Sequence, residues 1–249
     1  MKTIAIYNIK GGVGKSTTAV NLACLAAAEG RPTLLWDLDA QGAASYYLGQ
    51  EGSGSRGSRD VIRRKQDLRD LAVETRFPLL DVVPSRFSYR KMDIHLSRQG
   101  KPRKALSAIL RPLSSFYAWV FLDCPPGITL LSESVFRAAD LILIPLVPTP
   151  LSVRTFEEIV VFFQRKDLDR SRLLPFFSLV EPRKKIHRET MAIFAAREGR
   201  VCRSFIPSLS DIERMAVTCR PVAHFKPRSA AGRAYRALWD ELADKNAEN

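Results

Sequence analysis

The sequence lacks most features that would place it outside an aqueous compartment. None of its 249 residues belongs to an uncharged apolar run of the roughly 18 or more that a membrane-spanning helix needs. The first apolar segment begins within a few residues of Met1, so no secretory leader is expected. Cysteine is scarce: Cys24, Cys124, Cys202 and Cys219 form no C-x-x-C pair, which fits reduced thiols in or near a core. The Gly- and Ser-rich stretch 49–59 contains no repeat, and no helix-turn-helix is seen ahead of the first strand, which argues against a sequence-specific repressor. Negative charge is in deficit, with 26 Asp and Glu against 39 Lys and Arg and a formal net charge of +13. Such a balance points to an anionic polymer or surface as a partner. With 46% hydrophobic residues the chain can bury one substantial core, so residues 1–249 are expected to form a single cytoplasmic domain.

What is present is an alternation of apolar strands and helical patterns. Strand candidates lie at 4–7, 33–37, 79–83, 119–123, 141–146 and 174–179, with helical spacing between most of them. This predicts an α/β fold, a doubly wound, mainly parallel sheet with helices on both faces. A helix is expected from Thr17 to Glu29, stopping at Gly30. Tyr235, Leu238, Trp239 and Leu242 fall at i, i+3, i+4 and i+7 in a C-terminal amphipathic helix that should dock on the domain. The Gly- and Ser-rich stretch 49–59 reads as the best loop, and 85–103 as a second loop-prone segment.

Directly after the first strand comes Lys10-Gly11-Gly12-Val13-Gly14-Lys15-Ser16-Thr17. In a strand-loop-helix unit the backbone N–H groups of such a loop curl around nucleotide phosphates, helped by the positive end of the next helix. Lys15 is expected at the β- and γ-phosphates, Ser16 on Mg²⁺, and Thr17 near the α-phosphate. The usual pattern G-x-x-x-x-G-K-[ST] fails by one residue, because Ile9 stands where Gly is required. The variant K-G-G-x-G-K-[ST] fits completely, and it resembles the deviant Walker A ATPases of the ParA/MinD family.

That resemblance covers nearly the whole chain and implies further roles. It makes Lys10 the lysine that reaches across an ATP-dependent nucleotide-sandwich homodimer. Asp37-Leu38-Asp39-Ala40-Gln41-Gly42 resembles the family's switch I pattern D-x-D-P-Q-G, with Ala40 in place of Pro. It assigns Asp39 to the attacking water and the metal, and Asp37 to the Mg²⁺ shell or to holding the loop. Asp123, at the end of an apolar strand and before Cys124-Pro125-Pro126-Gly127, resembles the Walker B aspartate that holds Mg²⁺ through water. Pro148-Thr149-Pro150-Leu151 resembles the exit beside the family's dimer interface. Arg183 and Pro207 take the places of nucleotide-bordering landmarks, while Ser208 stands where relatives often carry Arg.

Family members of the ParA branch bind DNA without sequence preference in the ATP state and respond to a separate adaptor that stimulates hydrolysis. The basic residues Arg183, Lys184, Lys185, Arg188, Arg220, Lys226 and Arg228 are the expected DNA-binding set, since lysine and arginine contacts to phosphates need no groove-reading helix. The ParA reading therefore implies ATP and Mg²⁺ as cofactors, nucleoid association, and the positioning or segregation of a plasmid, chromosome or protein cargo. Two alternatives stand beside it. A MinD-like membrane cycle needs a basic amphipathic tail, whereas this chain ends in an acidic, polar run from Asp240. An iron-protein-like electron-transfer ATPase would need paired cysteines, of which only Cys124 adjoins the switch.

Overall fold

Strands that are apolar on both sides must be covered on both sides, and the helices between them provide the cover. The structure is a computed structural model that describes residues 1–50 and 58–247. Seven strands form one sheet: β1 (Lys2–Ile6), β2 (Thr33–Asp37), β3 (Val73–Glu74), β4 (Leu80–Val83), β5 (Trp119–Asp123), β6 (Leu141–Leu146) and β7 (Leu173–Phe177). Their order is β3-β4-β2-β5-β1-β6-β7. All neighbours run parallel except β3, which pairs antiparallel with β4.

The helices are α1 (Lys15–Ala28), α2 (Ala43–Tyr47), α3 (Ser58–Ile62), α4 (Met92–Ser97), α5 (Ala105–Leu110), α6 (Leu130–Ala138), α7 (Pro150–Arg165), α8 (Lys185–Glu198), α9 (Ser210–Glu213), α10 (Met215–Thr218), α11 (Val222–Phe225) and α12 (Ala230–Ala247). One core, around Trp36, Phe136 and Phe163, joins the sheet to the α3–α8 side. The other, around Phe121, Phe176 and Trp239, joins it to α1, α11 and α12. The alanines of α1 are buried almost all round, because this helix lies between the sheet and a second helical layer and small side chains allow both to approach.

The doubly wound sheet expected from the sequence is what forms, and its register decides where chemistry can occur. Asp123 pairs in register with Ile6 on one side and with Asp37 on the other. The ends of β1, β2 and β5 thus bring two aspartates and the start of the glycine loop to one carboxyl edge, where ligands of open α/β sheets bind.

Differences from the expected elements have local causes. Strand β3 is only two residues long and carries no periodic pattern. Strand β7 stops at Phe177, and Leu179 takes a left-handed φ of 54°. The loop-prone segment 85–103 contains α4, held by the buried Met92 and Leu96, flanked by 3-10 turns. Of the stretch expected as a loop at 49–59, residues 51–57 lie outside the described residues, and Arg59 belongs to α3.

Helix α12 docks as its periodicity requires, with Tyr235, Leu238, Trp239 and Leu242 all buried. Its start is tight: a Cβ on Gly232 would lie 2.4 Å from the Lys226 carbonyl oxygen, so only glycine fits there. Trp239, 1% exposed, meets the Trp119 ring edge-on at 5.2 Å and donates from Nε1 to Glu29 Oε1 at 2.7 Å. Trp239→Ala removes both contacts and opens a cavity, so it should lower the unfolding free energy by about 3–5 kcal/mol in urea denaturation. A loss below about 1 kcal/mol would mean that α12 is not part of the cooperative core.

Candidate functional site

The glycine loop is held open by its backbone. Gly12 and Gly14 have φ of 71° and 89°, in the left-handed region, and a Cβ on Gly14 would sit 2.8 Å from Ser178 Oγ. Gly14 directly precedes α1, whose first turn carries no acidic residue and no side-chain cap. The first amides of α1 therefore face the mouth of the loop without an internal anion.

Asn8 fastens this loop to the sheet. Its Nδ2 donates to the Pro145 carbonyl at 2.7 Å, and its Oδ1 accepts from the Lys10 N–H at 2.9 Å. The loop after β5 is tied to it as well, through Gly127 N–H to Ile9 O at 3.1 Å and Tyr7 Oη–H to Gly127 O at 3.0 Å. Neither Asn8 nor Tyr7 was singled out from the sequence. An asparagine at the end of an apolar strand, two residues ahead of the first loop lysine, is the signal that could have found the first.

The two loop lysines are both occupied. Lys15 is buried, and its Nζ donates to the Lys10 carbonyl at 2.9 Å. Burial lowers its pKa, and the nearby Asp123 and Asp39 act against that shift. Lys10 reaches the other way, donating from Nζ to the Leu151 carbonyl at 3.1 Å in the first turn of α7. The Pro150–Leu151 exit and the extra lysine thus meet within one chain.

The aspartates divide into three environments. Asp37 is fully buried and serves the fold: Oδ2 accepts from the Ser45 N–H at 2.8 Å and the Ser45 hydroxyl at 2.7 Å, and Oδ1 accepts from the Asp39 N–H at 3.2 Å. Burial pushes its pKa up to about 6 against the effect of those bonds. Of the two roles open to Asp37, its contacts are those of holding the loop. Asp39 is partly exposed, accepts from the Gln41 N–H at 3.0 Å, and receives the Ser85 hydroxyl on its carbonyl oxygen. A cleft of about 250 Å³ opens beside it, between Gln41, Tyr46, Ser85 and Phe87.

Asp123 differs from both. It is 0% exposed, and among the described residues neither carboxylate oxygen has a hydrogen-bond partner of normal geometry. Burial and the neighbouring Asp37 drive its pKa well up, while the Ser16 hydroxyl and Lys15 beside it act in the opposite direction. Two orphaned anionic oxygens next to a serine hydroxyl at a phosphate loop fit a divalent cation. Cys124, the next residue, is buried with its thiol toward the Leu122 carbonyl, and burial raises its pKa well above the ordinary thiol range.

On the far side of the loop, Pro207 bridges Val180, and the Ser208 N–H donates to the Val180 carbonyl at 2.9 Å. This pair of segments follows Ser178, the residue against Gly14, so Pro207 lies on the loop's flank. Arg183 is exposed in the turn between β7 and α8.

The basic residues expected as one surface divide into two groups. Arg183, Lys184, Lys185 and Arg188 lie at the start of α8, which packs on one face of the sheet through Phe194. Arg220, Lys226 and Arg228 flank α11, which packs on the other through Val222. All are exposed, but Lys184 pairs with Glu181 at 2.6 Å, Lys185 with Glu189 at 3.5 Å and Lys226 with Asp211 at 2.7 Å. Arg188 donates to the Pro182 and Arg183 carbonyls. Arg183, Arg220 and Arg228 form no ion pair among the described residues. No described helix is long and apolar enough to cross a membrane.

A family model described as an AAA domain matches residues 1–171. An uncharacterized protein of Mycobacterium tuberculosis is 30% identical over 254 residues, covering 98% of this chain and 79% of that protein. The chromosome partitioning protein ParA of Myxococcus xanthus is 38% identical over 146 residues, 58% of this chain and 52% of ParA. Among solved structures, a putative plasmid partition protein from Borrelia burgdorferi bound to AMPPNP superposes with a TM-score of 0.85 at 20% identity, covering 98% of this chain and 99% of that one. MinD from Pyrococcus horikoshii, complexed with Mg-ADP, gives a TM-score of 0.79 at 20% identity over 99% and 97% of the two chains. With that family match over more than half its length, and a glycine loop opened by an extra lysine on a doubly wound sheet, the chain belongs to the ParA/MinD-type P-loop ATPases.

Proposed function

We propose that this chain is a ParA-type positioning ATPase that binds ATP and Mg²⁺, dimerises on ATP, holds non-specific DNA in that state, and releases it when a separate adaptor stimulates hydrolysis. The observation that carries the reading is Asp123: a buried carboxylate whose oxygens have no hydrogen bond of normal geometry among the described residues, beside Ser16 and Lys15 at the glycine loop. The nucleotide-bound states of the Borrelia and Pyrococcus structures support it.

In this reading Ser16, Asp123 and Asp39 would hold Mg²⁺, which would supply neutralisation of the phosphate charge. The loop amides from Gly11 to Thr17 cradle the phosphates, and Lys15 leaves the Lys10 carbonyl to reach them. Val13, within the loop, is buried. Asp39 orients the attacking water and accepts its proton. Pro207 and Arg183 border the base side of the nucleotide. Lys10 gives up Leu151 O and crosses to the partner subunit's phosphates, so that nucleotide and dimer stabilise one another. Pairing two subunits places weak DNA contacts side by side and multiplies them. Arg183, Lys184, Lys185, Arg188, Arg220, Lys226 and Arg228 supply those contacts. Their ion pairs are surface pairs of the kind worth about 0–1 kcal/mol each, so phosphates can compete for the cations.

Binding to non-specific duplex DNA with ATP, ADP or no nucleotide tests the whole proposal: tight, salt-sensitive binding should require ATP, and equal binding in all three conditions would overturn it. Lys10→Ala should retain nucleotide while its ATP-dependent dimer weakens at least about tenfold in analytical ultracentrifugation, in line with the loss of a buried interfacial charge. A dimer of unchanged strength would remove Lys10 from the interface. Asp39→Ala should slow phosphate release by about 10²–10⁴-fold, the usual range for a lost general base, and leave an ATP dimer persisting on DNA. Normal turnover in that variant would assign the water to another group.

A further inference from the structure

A further concentration of positive charge lies on helices other than those assigned to DNA above. Between Arg59 and Lys104 the sequence holds thirteen Lys and Arg against six Asp and Glu. Helices α3 and α4 pack inward through Val61, Ile62, Met92 and Leu96, all in the Trp36 core, which leaves their polar residues outside. Arg59, Arg63, Lys91 and Arg98 are exposed and close enough to His95 to act on it electrostatically. Together with its burial they hold the imidazole below its ordinary pKa.

Among the described residues none of the four forms an ion pair, a state they share with Arg183, Arg220 and Arg228, whereas Lys184, Lys185 and Lys226 are each paired. Of the acids on the same helices, Asp93 is committed inward, accepting the Leu131 N–H at 2.8 Å, and Asp60 is half-buried. Beside the cluster Phe87 is 74% exposed, with the Arg90 guanidinium 4.3 Å above its ring. An arginine held over an exposed ring still has N–H donors to offer a phosphate.

This face is also attached to switch I. The 3-10 turn Phe87–Lys91 begins two residues after Ser85. Ser85 donates its hydroxyl to the Asp39 carbonyl and its N–H to Ser45 Oγ at 2.8 Å, and Ser45 in turn holds Asp37. The segment carrying Phe87, Arg90 and Lys91 is therefore bonded to the loop that faces the nucleotide.

We propose that the α3–α4 face, with Arg59, Arg63, Lys91 and Arg98 at its centre, is a second surface for the phosphate backbone of duplex DNA, joined to switch I through Ser85. The inference rests on the reading of the protein as a DNA-bound ATPase. Unpaired, closely spaced guanidinium groups match a polyphosphate strand and carry no sequence information. Each cation engaged with a phosphate adds roughly 0.9 to the slope of log affinity against log salt.

The test compares wild type with the triple variant Arg59→Ala, Arg63→Ala, Arg98→Ala, and with Lys184→Ala, Lys185→Ala. Each is titrated with non-specific duplex DNA and ATP across a salt series. Binding of a fluorescent ATP analogue and dimer formation are measured alongside. The triple variant should bind nucleotide and dimerise as wild type does, while its DNA affinity falls at least about tenfold at low salt and its salt slope shrinks by about 2 to 3. If wild type binds DNA with ATP and the triple variant matches it in affinity and slope, this face is not a DNA surface and suits an acidic protein partner instead. The reading of the protein as a DNA-bound ATPase then still stands. If wild type itself fails to bind DNA with ATP, that reading falls and this inference with it.

Discussion

A carboxylate sealed from water, with only the Ser16 hydroxyl and Lys15 beside it among the described residues, is the constraint on which this structure turns. Asp123 and Asp37 are register neighbours on adjacent strands, both fully buried, and two such charges cannot stand side by side unaided. The chain treats them differently. Asp37 receives three donors from the segment that follows β2 and thereby shapes it, while among the described residues Asp123 has only the Ser16 hydroxyl beside it, short of normal hydrogen-bond geometry. The unmet demand at Asp123 is met either by a proton or by a cation, and the glycine loop, Ser16 and Lys15 surround the place where a cation would sit.

The same economy of contacts ties the switch segments to the loop. Lys15 rests on the Lys10 carbonyl, Lys10 on α7, Asn8 on β6 and Gly127 on Ile9, so the elements around the glycine loop are already bonded to one another. A ligand that takes Lys15 must displace a hydrogen bond inside its own loop, and one that recruits Lys10 must release α7. Nucleotide binding and a change at the α7 exit are then linked through two adjacent bonds rather than through a long relay.

Much of this was legible in the sequence because it is written in short, periodic or composition-marked stretches. The doubly wound sheet follows from buried apolar runs alternating with helical spacing, and the docking of α12 from four apolar residues at one period. The loop, Asp39 and Asp123 are visible as local motifs. What was not legible depends on residues brought together from distant positions. Ser178 against Gly14, Ser85 on the Asp39 carbonyl and Asn8 on Pro145 are each set by sheet register, which no window of sequence contains. The basic residues of the last third looked like one surface in a linear list, yet α8 and α11 pack on opposite sides of the sheet and divide them. Strand β3, two residues long, has no pattern to read.

Cys124 adds a consequence of a different kind. Its thiol is enclosed beside Asp123 and kept protonated by its surroundings, so in the folded protein it is a poor nucleophile toward alkylating reagents and peroxide. Reaction there requires the end of β5 to part from its neighbours. The cysteine is in effect a built-in gauge of how often the floor beneath the glycine loop opens, read by the rate at which it is labelled.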